Sequence, residues 1–184
     1  MSSPSNFLVP VPSGSLQIPE LPPFSDRIGE GAIAFSLVLP TYNEGQNIQK
    51  IIRILSELLD GVLPGTYELI VVDDNSPDQT WKLAQELLPD YPQLRVMRRE
   101  HEKGLSTAVV RGWQVARGEI LGVIDADLQH PPEVLLQLWR EMERGADLAV
   151  ASRHVEGGGV SEWSTIRRFL SRGAQMLGLI ILPE

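Results

Sequence analysis

The sequence predicts an α/β domain built on a mostly parallel, three-layer sheet. Three observations carry this. From residue 35 onward, short apolar runs suited to buried strands alternate with amphipathic segments of helical period. The polar clusters fall directly after the apolar runs, where open α/β sheets gather their ligands. The chain has 184 residues, of which 42% are hydrophobic and 22% charged, enough to bury one core.

Taken in order, residues 1–31 are rich in proline, serine and glycine and read as an extended or disordered arm. The apolar run 35–39 predicts a first strand, stopped by Pro40. Ile48, Ile51, Ile52, Leu55, Leu58, Leu59 and Val62 then recur at helical spacing. Residues 67–72 predict a second strand. Ser76-Pro77-Asp78-Gln79 carries a helix-start pattern, with serine at the N-cap, proline at N1 and glutamine at N3. A third strand is expected at 94–97, a helix at 104–116 and a fourth strand at 119–124. A helix over 133–144 has Leu135, Leu138, Trp139 and Met142 as its apolar face, and a fifth strand is expected at 147–151. The chain thus divides into an arm (1–31), an α/β core (32–152) and a mildly basic C-terminal segment (153–184).

Composition excludes several classes. The net charge of −8 and a pI near 4.9 argue against a nucleic-acid binder, which would show a basic face. There are no cysteines, so disulfides, zinc–thiolate sites and cysteine nucleophiles are excluded. No apolar stretch reaches the roughly 18 residues of a membrane span, and the N-terminus lacks a signal-peptide pattern. Neither G-x-G-x-x-G after a strand nor G-x-x-x-x-G-K-[ST] occurs, which argues against dinucleotide dehydrogenases and P-loop enzymes.

The strongest chemical signal is Asp125-Ala126-Asp127-Leu128-Gln129-His130-Pro131, placed after the apolar run 120–124. On an extended segment, residues at i and i+2 face the same side. Asp125, Asp127 and Gln129 would then converge on one hard cation, Mg²⁺ or Mn²⁺, for which oxygen ligands are suited. Such a cation usually also holds a diphosphate. Acidic pairs at strand ends also serve as helix caps or solvated turns, so the pair gains weight from its context. Two further strand ends carry polar clusters: Pro40-Thr41-Tyr42-Asn43-Glu44 and Asp73-Asp74-Asn75-Ser76. A parallel sheet would gather all three along one edge.

These motifs, with Lys103-Gly104-Leu105, Ser152-Arg153, Gly157-Gly158-Gly159-Val160 and Trp163, resemble the GT-A glycosyltransferases of family 2 over 35–178. Within that family they resemble the polyprenyl-phosphate hexosyltransferases, the dolichol-phosphate mannose synthases and bacterial bactoprenol glucosyltransferases. The resemblance implies a GT-A (Rossmann-like) three-layer sandwich followed by a C-terminal amphipathic helix. It implies that Pro40, Tyr42, Glu44 and Asp73 contact the base and ribose, with Asp74, Lys103, Gly104 and Ala126 also on the donor. Asp125, Asp127 and Gln129 would hold the divalent ion and diphosphate. Arg153, Arg167 and Ser171 would bind the acceptor phosphate, and Asp127, Arg153 and Arg167 would be the catalytic group. Tyr42 and Glu44 could instead cap the first helix, and Asp74 could be a turn residue.

Arg167 and Ser171 share a face if 164–178 is helical, and the guanidinium fork suits phosphate oxygens. Arg168 and Arg172, beside Phe169, Leu170, Met176 and Leu177, suit anionic lipid headgroups at an interface. A lipid phosphate is already an anion and attacks with little help from a base, whereas a sugar hydroxyl needs one. The C-terminal segment offers only Glu156, Glu162 and Glu184, none in the position of such a base, which favours the phosphate acceptor. Inversion at the anomeric carbon is expected, and Gly157-Gly158-Gly159 reads as a hinge that would close over the donor. UDP-glucose is the favoured donor on overall wording, with GDP-mannose compatible. The resemblance places the protein at the cytoplasmic face of the membrane, with membrane helices beyond this chain, and a homo-oligomer is compatible with it. Two other classes stay open: a family-2 transferase with a carbohydrate acceptor, and a non-catalytic nucleotide-sugar-binding module.

Overall fold

The computed structural model of the protein describes residues 31–152. The rest of the N-terminal arm and the C-terminal segment, with Arg153, the glycine hinge, Arg167 and Ser171, lie outside the described residues. The core elements are β1 (Phe35–Thr41), α1 (Ile48–Asp60), β2 (Tyr67–Asp73), α2 (Thr80–Gln85), β3 (Leu94–Arg98), α3 (Leu105–Val115), β4 (Ile120–Val123) and α4 (Val134–Glu143). The strands form one sheet in the order β3-β2-β1-β4, and every pairing is parallel. The strand order reverses direction between β1 and β4, which makes their carboxyl ends the topological switch point.

The two central strands are buried along their whole length, which is why they read as continuous apolar runs rather than alternating ones. On one face Leu37, Leu39, Leu69 and Val71 pack with Ile48, Ile51, Ile52, Leu55 and Leu59 of α1, Ala84 of α2, and Leu135 and Trp139 of α4. Trp139 stacks at a tilt on Phe35, with ring centroids 5.5 Å apart. On the other face Val38, Ile70 and Val72 meet Ala108 of α3. Helices therefore cover both faces of the sheet, as expected. Gly112 is what lets α3 lie so close: a Cβ there would stand 2.6 Å from a methyl of Val38.

Beneath α3, at the amino end of β2, the carboxylate of Glu68 is fully buried. It accepts hydrogen bonds from Ser36 Oγ (2.7 Å), the Arg117 backbone N–H (2.7 Å) and Arg95 Nη1 (2.9 Å), and pairs with the Arg117 guanidinium. Burial alone would raise its pKa; the bonds from Ser36, Arg117 and Arg95 outweigh that and hold it below the usual glutamate range.

The structure departs from the sequence expectations in three places. β1 runs on through Pro40 to Thr41. The Val38 carbonyl accepts from Ile124, so the alternate residue Pro40 aims its missing N–H to the β4 side, beyond the last paired residue of β4. The helix expected from Ser76 starts only at Thr80. Gln79 adopts a left-handed conformation (φ 62°) that breaks the helical path, and Ser76 is drawn instead to Asp73. Residues 147–151 form no strand. Among the described residues no neighbour takes up their backbone groups, and Leu148 and Val150 are exposed.

Two outcomes are expected. Gly112→Ala should lift α3 off β1 and cost about 1–3 kcal/mol, read by urea unfolding. Glu68→Gln should cost about 1–3 kcal/mol near neutral pH, because it weakens the charge-assisted bonds that a fully buried carboxylate accepts from Ser36, Arg95 and Arg117. The depressed folded-state pKa means the wild-type advantage is complete above the ordinary glutamate pKa of roughly 4.3 and is lost as pH falls through the lower folded value. Parallel denaturation of both proteins between pH 7 and 3 should show the two converging in acid. A constant gap would refute the ion-pair account.

Candidate active site at the carboxyl edge of the sheet

The loops that follow β1, β2 and β4 and the loop between β3 and α3 lie at the carboxyl edge of the parallel sheet. Among the described residues, all four non-glycine residues with positive φ sit in these loops: Asn43 (60°), Asn75 (56°), Gln79 (62°) and Leu128 (58°). Left-handed backbone is costly for side-chain-bearing residues and persists where surroundings hold it in place.

The holding contacts are specific. Three successive backbone N–H groups of the first loop are each taken by a side chain of the second. Asn43 donates to Ser76 Oγ (3.0 Å), Glu44 to Thr80 Oγ1 (3.0 Å) and Gly45 to Asp78 Oδ2 (2.9 Å). Asp78 also accepts from the Thr80 hydroxyl (2.6 Å) and backbone N–H (3.1 Å). Its slight burial works upward on the pKa, and the bonds from Thr80 and Gly45 outweigh it and hold the carboxyl below its usual range. Asp73, 0% exposed, accepts from Thr41 Oγ1 (2.9 Å), Ser76 N–H (2.8 Å) and Ser76 Oγ (2.6 Å). The second loop is therefore a scaffold for the first.

This arrangement leaves Tyr42 standing out from the edge, 51% exposed, with Lys103 Nζ 5.6 Å from its ring centroid. A cation there faces the ring's electron-rich side. Glu44 accepts a hydrogen bond from the Asn47 side chain at 2.8 Å and so partly serves the start of α1. Asp74 is buried, and its carboxylate accepts from the Gly104 N–H at 2.7 Å and pairs with Arg99. An open cleft of about 560 Å³ borders Lys103, Thr107 and Arg111 along α3.

The Asp125–Gln129 segment differs from the expected geometry. β4 ends at Val123, and Asp125-Ala126-Asp127-Leu128 is a turn rather than an extended strand end. Ala126 is buried against the core and pins the turn. The Gln129 N–H donates to Asp127 Oδ1 at 2.9 Å, while Asp125 is exposed. Among the described residues no cluster of three or more His, Cys, Asp or Glu side chains is present. Two carboxylates and an amide oxygen nevertheless make a hard donor set that fits Mg²⁺ or Mn²⁺ if phosphate oxygens and water fill the remaining positions.

Sequence reasoning quoted Thr41, Ser76 and Asp78 within their motifs but gave them no part in building this edge, and it missed Thr80 and Arg99 altogether. Nothing in a single sequence separates Arg99 from its surface neighbour Arg98, which is stacked 4.3 Å over Trp81. Arg99 is the buried one.

A parallel sheet with helices on both faces and an acidic, loop-built carboxyl edge defines an α/β domain of the GT-A type. The chain belongs to glycosyl transferase family 2, whose family model matches residues 36–182. It is 48% identical over 149 residues to a dolichol-phosphate mannosyltransferase of Pyrococcus furiosus, covering 81% of this chain and 41% of that protein. It is 39% identical over 150 residues to a polyprenol monophosphomannose synthase of Mycolicibacterium smegmatis, covering 79% of this chain and 55% of that protein. The chain thus spans about half the length of these curated relatives, or less. Among solved structures it is similar to a mannosyltransferase from Pyrobaculum calidifontis in complex with GDP-Man and Mn²⁺. There the identity is 25% and the TM-score 0.51, over 58% of this chain and 31% of that one. It is also similar to a glucosyl-3-phosphoglycerate synthase from Mycobacterium tuberculosis in complex with Mn²⁺ and UDP. That match has 30% identity and a TM-score of 0.50, over 61% of this chain and 40% of that one.

Thr80→Val tests the loop scaffold. It removes the acceptor for the Glu44 N–H and the donor to Asp78, and should cost about 2 kcal/mol in chemical unfolding, the range for a buried amide left unpaired. A change within about 0.5 kcal/mol would show that water replaces the hydroxyl without penalty.

Proposed function

We propose that this chain is the donor-binding part of an inverting glycosyltransferase that moves a mannosyl group from GDP-mannose to a polyprenyl phosphate at a membrane surface. The observation that carries the reading is the gathering of Pro40–Glu44, Asp73–Asp74, Lys103–Gly104 and Asp125–Gln129 on one sheet edge of a family-2 domain. The relatives, dolichol-phosphate mannosyltransferases and a polyprenol monophosphomannose synthase by name, support the acceptor class and move the donor from UDP-glucose, which the sequence wording favoured, to a mannose donor. The two metal-bound neighbours carry different bases, GDP-Man in one and UDP in the other, so the fold alone accommodates either base.

In this reading Tyr42, braced by Lys103, offers a face to the base, and Glu44 serves the ribose side. Asp73, expected from the sequence to contact base or ribose, is fully buried with both oxygens held by Thr41 and Ser76, and acts by shaping the loop pair. Asp125, Asp127 and Gln129 would hold the divalent ion, which supplies charge stabilisation to the leaving diphosphate. The acceptor phosphate oxygen attacks the anomeric carbon, the bond from that carbon to the diphosphate oxygen breaks, and the nucleoside diphosphate leaves as an anion. No proton has to be removed from the nucleophile, so the protein's work is positioning and electrostatics. Arg153, Arg167 and Ser171 are the residues we assign to the acceptor phosphate, and Arg168 and Arg172 to the lipid surface. Among the described residues no helix is long and apolar enough to cross a membrane.

The test is transfer of labelled mannose from GDP-mannose, and in parallel of glucose from UDP-glucose, to undecaprenyl phosphate in detergent. Mannose should enter the lipid with Mn²⁺ or Mg²⁺ and not with EDTA. Asp127→Ala and Arg167→Ala should each lower transfer at least about 100-fold, equivalent to some 3 kcal/mol of transition-state stabilisation. Transfer to a sugar hydroxyl that is indifferent to Arg167→Ala would instead select the carbohydrate-acceptor reading. Metal-dependent donor binding without transfer to any acceptor would select the binding-module reading.

A further inference from the structure

Arg99 has no role in the reading above, yet it is one of the few buried charged residues at the active edge, 5% exposed. Its Nε donates to Asp74 Oδ1 at 2.7 Å, and one terminal nitrogen reaches the same oxygen. That nitrogen also donates to the Gly104 carbonyl at 3.0 Å. The other terminal nitrogen donates to Thr107 Oγ1 at 3.0 Å and to Glu102 Oε2 at 3.4 Å. A guanidinium has five N–H donors, and these contacts account for all of them. Arg99 therefore keeps no donor for a phosphate and is not a ligand of the donor substrate.

What it grips is the backbone of Gly104. The Gly104 carbonyl is held by Arg99, and its N–H is held by Asp74 Oδ2 at 2.7 Å. Gly104 adopts φ 117°, in a region that side-chain-bearing residues rarely enter, so an outside grip on both its polar groups fixes a turn the backbone alone would not hold. Asp74 is in turn fixed by its own N–H donating to the Thr41 carbonyl (3.0 Å), and Arg99 by its N–H donating to the Asp73 carbonyl (2.8 Å). One ion pair thus joins the ends of β1, β2 and β3 to the loop that carries Lys103.

We propose that the Asp74–Arg99 pair is a positioning device for the nucleoside-diphosphate site. It sets the Lys103–Gly104 turn against Tyr42, and Asp74 acts through Gly104 rather than by touching the donor. This rests on the donor-binding reading of the edge. Pre-organisation of this kind acts on donor affinity, because a loop already in place loses less freedom on binding.

The experiment measures GDP-mannose and UDP-glucose affinity by calorimetry with Mn²⁺, melting temperature, and amide exchange at Gly104. It compares the wild-type chain with Arg99→Lys and with the paired replacement Asp74→Leu/Arg99→Met. The paired replacement removes both charges together, so it avoids the stranded-charge penalty that single removal brings. The expected result is at least roughly tenfold weaker donor binding and roughly tenfold faster Gly104 exchange in the paired variant, well below its melting temperature. Arg99→Lys, which keeps the charge but loses the fork, should fall between. A purely structural role would lower the melting temperature and leave affinity in the folded protein unchanged, and that outcome overturns the proposal. If the paired variant does not fold, Arg99→Lys decides, since wild-type affinity and Gly104 protection in that variant are equally fatal. A wild-type chain that binds neither donor overturns the function reading, and with it the role assigned to the ion pair.

Discussion

The arrangement depends on the parallel pairing of β1 with β2, in register from Phe35 with Tyr67 through Thr41 with Asp73. A parallel pair needs a crossover, and α1 supplies it while burying its apolar stripe on the face it crosses. Parallel register also brings both carboxyl ends to the same level. Thr41 therefore meets Asp73 directly, through the 2.9 Å bond between their side chains. Everything at the edge is built outward from that contact. Asp73 turns the chain through Ser76, Ser76 holds Asn43, and the first loop is thereby set in the shape that leaves Tyr42 outside. A hydroxyl and a carboxylate separated by 32 residues thus decide where an aromatic side chain meets solvent.

The layer architecture was legible because it rests on periodicity. Ile48, Ile51, Ile52, Leu55 and Leu59 read as one helical stripe and pack as one, and the runs at β1 and β2 read as buried strands and are buried. What was not legible lies where tertiary partners override local preference. Ser76-Pro77-Asp78-Gln79 has the composition of a helix start. Its serine finds a better acceptor in Asp73, and Gln79 takes a left-handed conformation that ends the turn. Pro40 was read as a stop because a proline has no N–H. In place, it costs nothing to a ladder whose other strand has already ended. Residues 147–151 carry the alternation of a strand, but pairing is a property of two segments and one of them cannot be read alone.

The candidate site divides the same way. The exposed residues, Tyr42, Asp125, Lys103 and Gln129, were visible in the sequence because polar residues after apolar runs are conspicuous. The residues that fix them in place were not. Thr41, Thr80 and Arg99 have ordinary identities, and their importance comes from where their hydrogen bonds go. The metal motif shows the limit of arguing from spacing alone. Two aspartates at i and i+2 share a side only on an extended chain, and here the left-handed Leu128 and the buried Ala126 bend the segment into a turn. The donor chemistry of the residues survives that change, while the strand geometry first invoked for it does not.

β2 carries buried carboxylates at both ends, and their surroundings assign them different work. At the amino end Glu68 is enclosed by Ser36, Arg95 and Arg117, with both oxygens taken up by the protein. That cluster closes the turn between α3 and β4 onto the sheet, with the carboxylate itself shut off from solvent under its two arginines. At the carboxyl end Asp73 and Asp74 are buried as deeply, but the groups they hold are loops whose outer surfaces face solvent. The same solution to the same cost, a buried charge neutralised by arginine or by converging N–H and O–H donors, therefore fastens the base of the domain at one end. At the other it holds open a rigid, polar edge. In a parallel sheet that edge is where a ligand can reach several loops at once. The position of a buried carboxylate along the strand, more than its degree of burial, is what separates stability from function here.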